Sequence, residues 1–164
     1  MTGATPLELM KNELYDQMPT LFDAFVGNIG GCIGEASALA LLIGGIYLLV
    51  RRVIKWHIPV FYLGTIFLMT LIFGGVGVTI SFMSLFLGGV MLGAFFMATD
   101  YTTTPMTIKG QIIFAIGAGI ITVVIRLWGG YPEGVSYSIL LMNLTVPLID
   151  RYIKQKRFGG GKVA

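Results

Sequence analysis

Hydrophobic residues along this chain fall into five long runs, which short polar or glycine-rich segments separate. A helix that crosses a bilayer needs about 20 predominantly apolar residues, and long apolar runs are typical of such helices. The runs predict spans over residues 35–50, 58–73, 76–98, 111–128 and 134–149. They take up most of the 164 residues. The pattern therefore predicts an all-α integral membrane protein with five transmembrane helices.

The segment before the first run carries a helix-start signal. Thr5 suits the N-cap, Pro6 suits the first helical position, and Glu8 completes a capping box. Apolar residues then recur at helical spacing, at Leu7, Met10, Leu14 and Met18. This stripe predicts a short amphipathic helix on the membrane or on a partner. The chain thus divides into an N-terminal segment (1–34), a five-helix module (35–150) and a basic tail (151–164).

Basic residues lie mostly on one side of the predicted spans. With the C-terminus in the cytoplasm, the inside segments hold Arg51, Arg52, Lys55, Lys109, Arg151, Lys154, Lys156, Arg157 and Lys162. The outside segments hold only Lys11 and Arg126. Because Lys and Arg accumulate in cytoplasmic loops, we expect a multi-pass protein of the cell inner or plasma membrane. Its N-terminal segment is then extracytoplasmic, and termini on opposite sides are typical of one half of a ten-helix inverted-repeat protein.

Composition excludes several classes of protein. Hydrophobic types make up 55% of the residues and charged types 12%, whereas soluble domains carry about 25% charged residues. This balance excludes a disordered chain, a nucleic-acid-binding domain and an ordinary soluble enzyme. One histidine and one cysteine cannot form a zinc site or a Cys–His nucleophile pair, and no P-loop is present. The sequence therefore predicts no catalytic side chain and no metal site, and any chemistry must come from a cofactor.

Three polar residues at the ends of predicted spans are candidate ligand contacts. A carboxylate inside a bilayer costs about 2.5–3.5 kcal/mol. Glu35 is therefore either an interfacial group beside a helix N-terminus or a contact for a cation, a proton or a flavin. Thr99 and Asp100 open a hydroxyl-rich stretch that extends to Thr104. This stretch either caps and anchors the helix end or holds a polar ligand.

Glycines inside the predicted spans allow two interpretations. They occur at Gly44, Gly45, Gly88, Gly89, Gly93, Gly117 and Gly119. Small residues let membrane helices pack closely, which is the simpler interpretation. The alternative is that glycine opens room for a ligand or for a broken helix.

Several motifs, in order along the chain, carry a resemblance to a known family. They are Thr2-Gly3-Ala4-Thr5, the stretch 30–37, the stretch 96–105, the stretch 126–134 and the stretch 140–151. Together they resemble the membrane subunits shared by Rnf complexes and sodium-pumping NADH:quinone reductase. The similarity is closest to the C-terminal half of the Rnf subunit RnfD. The resemblance implies a preceding five-helix half, and an aspartate that the family carries upstream of the attachment motif would lie before Met1.

The resemblance implies a membrane electron-transfer subunit that carries FMN as a phosphoester on Thr5. The complex would be an ion-translocating ferredoxin:NAD oxidoreductase, with the flavin-bearing RnfG and the iron–sulfur subunits RnfA and RnfE as partners. Non-covalent riboflavin would be a second cofactor, and Glu35, Thr99 and Asp100 would be candidate ion or flavin contacts. Because Thr5 precedes a proline and a helix start, its hydroxyl can project and an attached phosphate can meet free N–H groups.

Other functions remain open on the sequence. A membrane subunit of sodium-translocating NADH:quinone reductase would share the flavin but would turn over quinone without ferredoxin. A cofactor-free transport half-module would be colourless and indifferent to Thr5→Ala. A purely structural subunit would leave assembly and electron flow intact in that variant.

Overall fold

The computed structural model describes residues 25–26, 37–75, 77–131 and 133–153. Every regular element within these ranges is helical, as the hydrophobic pattern predicts. The helices are α1 (Ala38–Val50), α2 (His57–Phe73), α3 (Val78–Met83), α4 (Val90–Leu92), α5 (Ile108–Trp128) and α6 (Val135–Tyr152). A π-helical stretch, Gly93–Met97, follows α4 directly.

Side-chain caps fix where two of the long helices begin. The hydroxyl of Ser37 accepts a hydrogen bond from the N–H of Ala40 at 3.3 Å at the start of α1. The hydroxyl of Thr107 accepts from the N–H of Gly110 at 3.1 Å at the start of α5. Ser and Thr are favoured at N-caps because they satisfy N–H groups that have no partner in the first helical turn.

One described helix meets the requirements of a membrane span by itself. The 21 residues of α5 are long and apolar enough to cross a bilayer. Helices α1 and α2 are apolar but shorter, with 13 and 17 residues. These findings are consistent with a membrane protein.

The third predicted run, 76–98, is not one helix. Helix α3 ends at Met83, a non-helical connection covers 84–89, and helical structure resumes at Val90. Gly88 has φ +67°, a left-handed conformation that an α-helix cannot contain and that glycine adopts without strain. Hydropathy alone does not register such an interruption, because the connecting residues are as apolar as their neighbours.

Helix α2 packs mainly against α5, and α5 packs against α6. Large buried side chains fill this contact, among them Tyr62, Ile66 and Phe114. The interrupted segment 84–98 lies against α1, α2 and α6. The core is therefore built around α2 and α5, and the interrupted segment closes one side of it.

Glycines make close approaches between these helices. A Cβ added at Gly119 would lie 2.8 Å from the side chain of Thr65, and one at Gly45 would lie 2.5 Å from the ring of Phe95. A Cβ at Gly93 would collide with Val135. Tight packing explains these three glycines, whereas the interruption explains Gly88. Each interpretation of the glycines therefore holds at different positions.

Candidate functional site

Arg126, in the last turn of α5, reaches across to the interruption in the third run. Its guanidinium donates from Nη1 to the carbonyl oxygen of Ser84 at 3.0 Å and from Nη2 to that of Leu87 at 3.1 Å. Carbonyls beyond the end of a helix have no intrahelical donor. A planar guanidinium with five N–H donors suits them well. Only 9% of this side chain is exposed, so its charge is held inside the protein.

Glu133 binds the same interruption from the connection between α5 and α6. Its Oε1 accepts a hydrogen bond from Nη2 of Arg126 at 3.2 Å, and its Oε2 accepts from the N–H of Gly89 at 3.1 Å. A Cβ at Gly88 would collide with this carboxylate. We call Arg126, Glu133 and the backbone of 84–89 the Arg126–Glu133 clamp. The clamp fixes the interrupted segment to the α5–α6 connection.

Phe25 contacts the interruption from the N-terminal side of the chain. Its ring centroid lies 5.5 Å from that of Phe86, with the ring planes at 89°. Phe86 in turn lies 5.2 Å from Phe82 of α3. Edge-to-face pairs of this kind are favourable beyond the area that they bury. Phe25 follows directly on 1–24 in the sequence, so the described part of the N-terminal segment lies beside the clamp.

Three buried hydroxyl groups connect α2, α5 and α6, with Thr122 one helical turn before Arg126. The hydroxyl of Tyr62 lies 2.9 Å from that of Thr122, which lies 2.7 Å from the hydroxyl of Ser138. Thr122 also reaches the carbonyl of its own helix turn at 2.8 Å, and Ser138 does so at 2.7 Å. Three hydroxyl hydrogens thus serve four contacts. We call Tyr62, Thr122 and Ser138 the hydroxyl layer.

A pocket of about 160 Å³ lies at the other end of α2 and α5. The α1–α2 connection, the connection 98–107 and the first turn of α5 surround it. Its lining residues are Val53, Ile54, Lys55, Ile58, Thr99, Tyr101, Thr104, Pro105, Met106 and Gln111. Gln111 Nε2 donates to the carbonyl of Pro105 at 3.0 Å, whereas its buried Oε1 has no partner among the described residues. The pocket therefore contains an amide oxygen that lacks a donor.

Two of the residues singled out from the sequence lie at this pocket end. Thr99 lines the pocket, and its hydroxyl donates to the carbonyl of Phe95 at 2.7 Å. Asp100 accepts from the hydroxyl and the N–H of Thr102 and from the hydroxyl of Thr103. Hydrogen bonds from Thr102 lower the pKa of Asp100 below its ordinary value, because they stabilise the charged form. The local turn therefore already satisfies this carboxylate.

Segments predicted on the same side of the membrane meet at the same end of the helices. Asp150 of α6 accepts a hydrogen bond from the N–H of Met106 at 3.1 Å, which joins two segments predicted to be cytoplasmic. At the opposite end, the rings of Phe73 and Trp128 lie 6.0 Å apart, which joins two segments predicted to be extracytoplasmic. We call these the Gln111 end and the Arg126 end.

Thr5 and Glu35 lie outside the described residues, so the flavin attachment and the Glu35 contact stay predictions. Sequence reasoning missed Glu133 and Gln111 as site residues. Arg126 entered only the charge count, although an arginine at the outer end of an apolar run and an acid seven residues later were a usable signal. Nothing in the sequence pattern distinguishes Gln111, because its importance comes from the pocket.

Comparisons with known proteins show which family contains this chain. A family model described as "NQR2, RnfD, RnfE family" matches residues 1–159. The chain belongs to this family.

Curated relatives cover nearly the whole chain, and three of them are the subunits designated D in their complexes. That of the Na(+)-translocating ferredoxin:NAD(+) oxidoreductase complex of Acetobacterium woodii is 54% identical over 99% of this chain. That of the proton-translocating ferredoxin:NAD(+) oxidoreductase complex of Clostridium ljungdahlii is 48% identical over 97%. That of the ion-translocating oxidoreductase complex of Pseudomonas paraeruginosa is 41% identical over 97%. The chain spans about half the length of these relatives, namely 51%, 51% and 48%.

Two of the motifs that carry the family resemblance form the two sites described above. The stretch 126–134 contributes both charged members of the Arg126–Glu133 clamp. The stretch 96–105 contributes Thr99, Tyr101 and Thr104 to the pocket. Within the described ranges no three His, Cys, Asp or Glu side chains come close enough to hold a metal ion. Both sites therefore offer hydrogen bonds and packing.

Proposed function

We propose that this chain is part of a membrane electron-transfer subunit of an ion-translocating ferredoxin:NAD oxidoreductase complex. Family membership supports this function, as do relatives whose names specify such complexes. The subunit would act only within the complex, with the flavin-bearing RnfG and the iron–sulfur subunits RnfA and RnfE as electron partners. FMN esterified to Thr5 would be its cofactor.

The observation that carries the proposal is the contact between Phe25 and Phe86. It brings the described part of the N-terminal segment to the Arg126 end, where the charge count predicts the extracytoplasmic side. Thr5 precedes Phe25 in the same segment, so a flavin on Thr5 would belong to that side. The interruption beneath it is fixed by the clamp.

The proposed topology has five spans, with the N-terminal segment outside and the basic tail inside. The two ends defined by α2 and α5 support it, because each end collects segments of one predicted side. The interrupted segment 77–98 would serve as the third span, with its backbone groups satisfied by neighbouring helices as membrane-embedded connections require. The module would then be one half of an inverted-repeat subunit.

Chemistry at this end would come from the isoalloxazine ring, which accepts and gives electrons. The described residues at the Arg126 end suit a flat aromatic ring. Tyr131 and Tyr137 lie 5.8 Å apart with their ring planes at 32°, and both are exposed. Trp128 is exposed beside them. The aromatic faces would limit the orientation of the ring, and the clamp would keep the backbone under them rigid.

The direct functional test uses inside-out membrane vesicles that contain the full-length subunit in its complex. Thr5→Ala should abolish ferredoxin-dependent NAD reduction while the complex still assembles, and the matched variant Thr2→Ala should keep it. Undiminished activity in an assembled Thr5→Ala complex would contradict the relay and favour a structural subunit. Quinone-dependent turnover without ferredoxin would favour the quinone-reductase alternative.

A cofactor-free transport half-module is the second candidate, because the third run is interrupted. Discontinuous helices at internal sites are typical of transporters, and α3 and α4 are separated by the connection 84–89. The clamp carbonyls are, however, occupied by the guanidinium of Arg126, which disfavours a cation at that position. A colourless native subunit with unaltered ion flux after Thr5→Ala would favour this candidate.

A further inference from the structure

We infer that the pocket at the Gln111 end binds a polyol phosphate, in the form of the headgroup of a glycerol-based anionic lipid or of a soluble polyol phosphate. The carrying observations are a lysine in the lining, an unsatisfied amide oxygen inside, and a cluster of hydroxyl groups between them.

Gln111 defines what the ligand must provide. Its side chain is only 4% exposed, and its amide orientation follows from the donation of Nε2 to the carbonyl of Pro105 at 3.0 Å. Its Oε1 therefore faces the pocket as an acceptor without a partner among the described residues. An unsatisfied buried acceptor costs about 1–3 kcal/mol. A ligand hydroxyl would remove this cost.

Charge around the pocket selects an anion. Lys55 lines the pocket, whereas both nearby carboxylates are engaged elsewhere. Asp100 accepts hydrogen bonds from Thr102 and Thr103, and Asp150 accepts from the backbone of Met106. The ammonium of Lys55 is thus the charge that the pocket presents to a ligand. Basic pockets at the cytoplasmic ends of spans bind anionic headgroups in other membrane proteins.

The hydroxyl groups in the lining complete the match. Thr99 already donates to the carbonyl of Phe95, so its oxygen can accept from a ligand hydroxyl, as can Gln111. The hydroxyls of Tyr101 and Thr104 can donate to phosphate oxygens. A water molecule takes about 30 Å³ of liquid volume, so one bridging water cannot fill about 160 Å³. A phosphate that carries a diol can fill it and satisfy both kinds of group.

Two anionic lipids that differ only in hydroxyl groups provide the test. The full-length subunit, purified in its complex, is placed in phosphatidylcholine nanodiscs that contain a minor fraction of phosphatidylglycerol or phosphatidylmethanol. Native mass spectrometry then counts the lipids that stay bound. Wild type should retain phosphatidylglycerol preferentially. Lys55→Gln should lower retention of both lipids about tenfold, as expected for the loss of a charged hydrogen bond, and Gln111→Met should remove only the preference.

Matched controls keep each outcome decisive. Lys109→Gln removes an exposed cation at the same end that does not line the pocket, and it should leave retention unchanged. Thr104→Val replaces Gln111→Met if that variant fails to assemble. Glycerol 3-phosphate that displaces the lipid, or binds in its place with the same dependence on Lys55, identifies the soluble source. Absence of saturable binding by either probe, or equal losses in Lys55→Gln and Lys109→Gln, would overturn the inference.

Discussion

Glu133 Oε2 accepts a hydrogen bond from the backbone N–H of Gly89 at 3.1 Å, across 44 positions of sequence. This bond joins the connection between α5 and α6 to the interruption of the third run. Arg126 completes the junction by binding Glu133 and two carbonyls of the interruption. A helix that is broken inside a bundle exposes backbone groups, and here two charged side chains satisfy several of them.

Arg126→Gln should destabilise the subunit strongly. The substitution leaves two carbonyls without their donors and Glu133 without its cation, and removal of one partner of a buried pair costs about 3–5 kcal/mol. The cost should fall towards the lower figure because Glu133 is 33% exposed. Thermal unfolding of the purified complex measures the effect. Arg151→Gln, on an exposed residue of α6, is the control and should leave the midpoint unchanged.

Gly88→Ala should lower stability through two separate effects. The left-handed conformation costs a residue with a Cβ about 1–2 kcal/mol, and the new methyl group would displace the Glu133 carboxylate. Gly64→Ala is the matched control, because open space surrounds that position within α2 and alanine favours the helix by about 1 kcal/mol. Equal unfolding temperatures for the two variants would contradict the role of the clamp.

The hydroxyl layer should respond unequally to its members. Tyr62→Phe removes one contact and should cost about 0.5–1.5 kcal/mol, since Thr122 keeps Ser138 and its own helix carbonyl. Thr122→Val removes the central hydroxyl and should cost more. The double variant should cost less than the two single variants together, because both remove the same contact. Strict additivity in unfolding measurements would show that the contact contributes nothing.

Acid should release a local contribution from Asp100. The lowered pKa means that the folded state holds the proton less tightly than the unfolded chain. The stabilisation is therefore complete above the ordinary value of 3.8 and is lost as the pH falls through the lowered value. Thr102→Val should raise the pKa of Asp100 because the largest contribution disappears. Carbon NMR titration of labelled aspartate measures the shift, and Thr103→Val should change it less.

Hydrophobic runs predicted the long helices well, because burial in an apolar medium dictates helix length. The run 58–73 appears as His57–Phe73 and the run 111–128 as Ile108–Trp128. The run 76–98 failed as one helix, because a single positive φ at Gly88 leaves no trace in hydropathy. The clamp and the Gln111 pocket depend on residues that are far apart in sequence, and such contacts follow from packing. Thr99 was predicted to lie near a polar ligand, and it lines the pocket.

The central claim is that FMN is attached to Thr5, and intact-protein mass spectrometry of the native full-length subunit tests it most directly. Flavin fluorescence of the same sample on a denaturing gel provides a second readout. The account predicts a mass increase equal to one esterified FMN, with fluorescence, which Thr5→Ala abolishes and Thr2→Ala preserves. An unmodified, non-fluorescent native subunit, or a modification that persists in Thr5→Ala, would contradict the account.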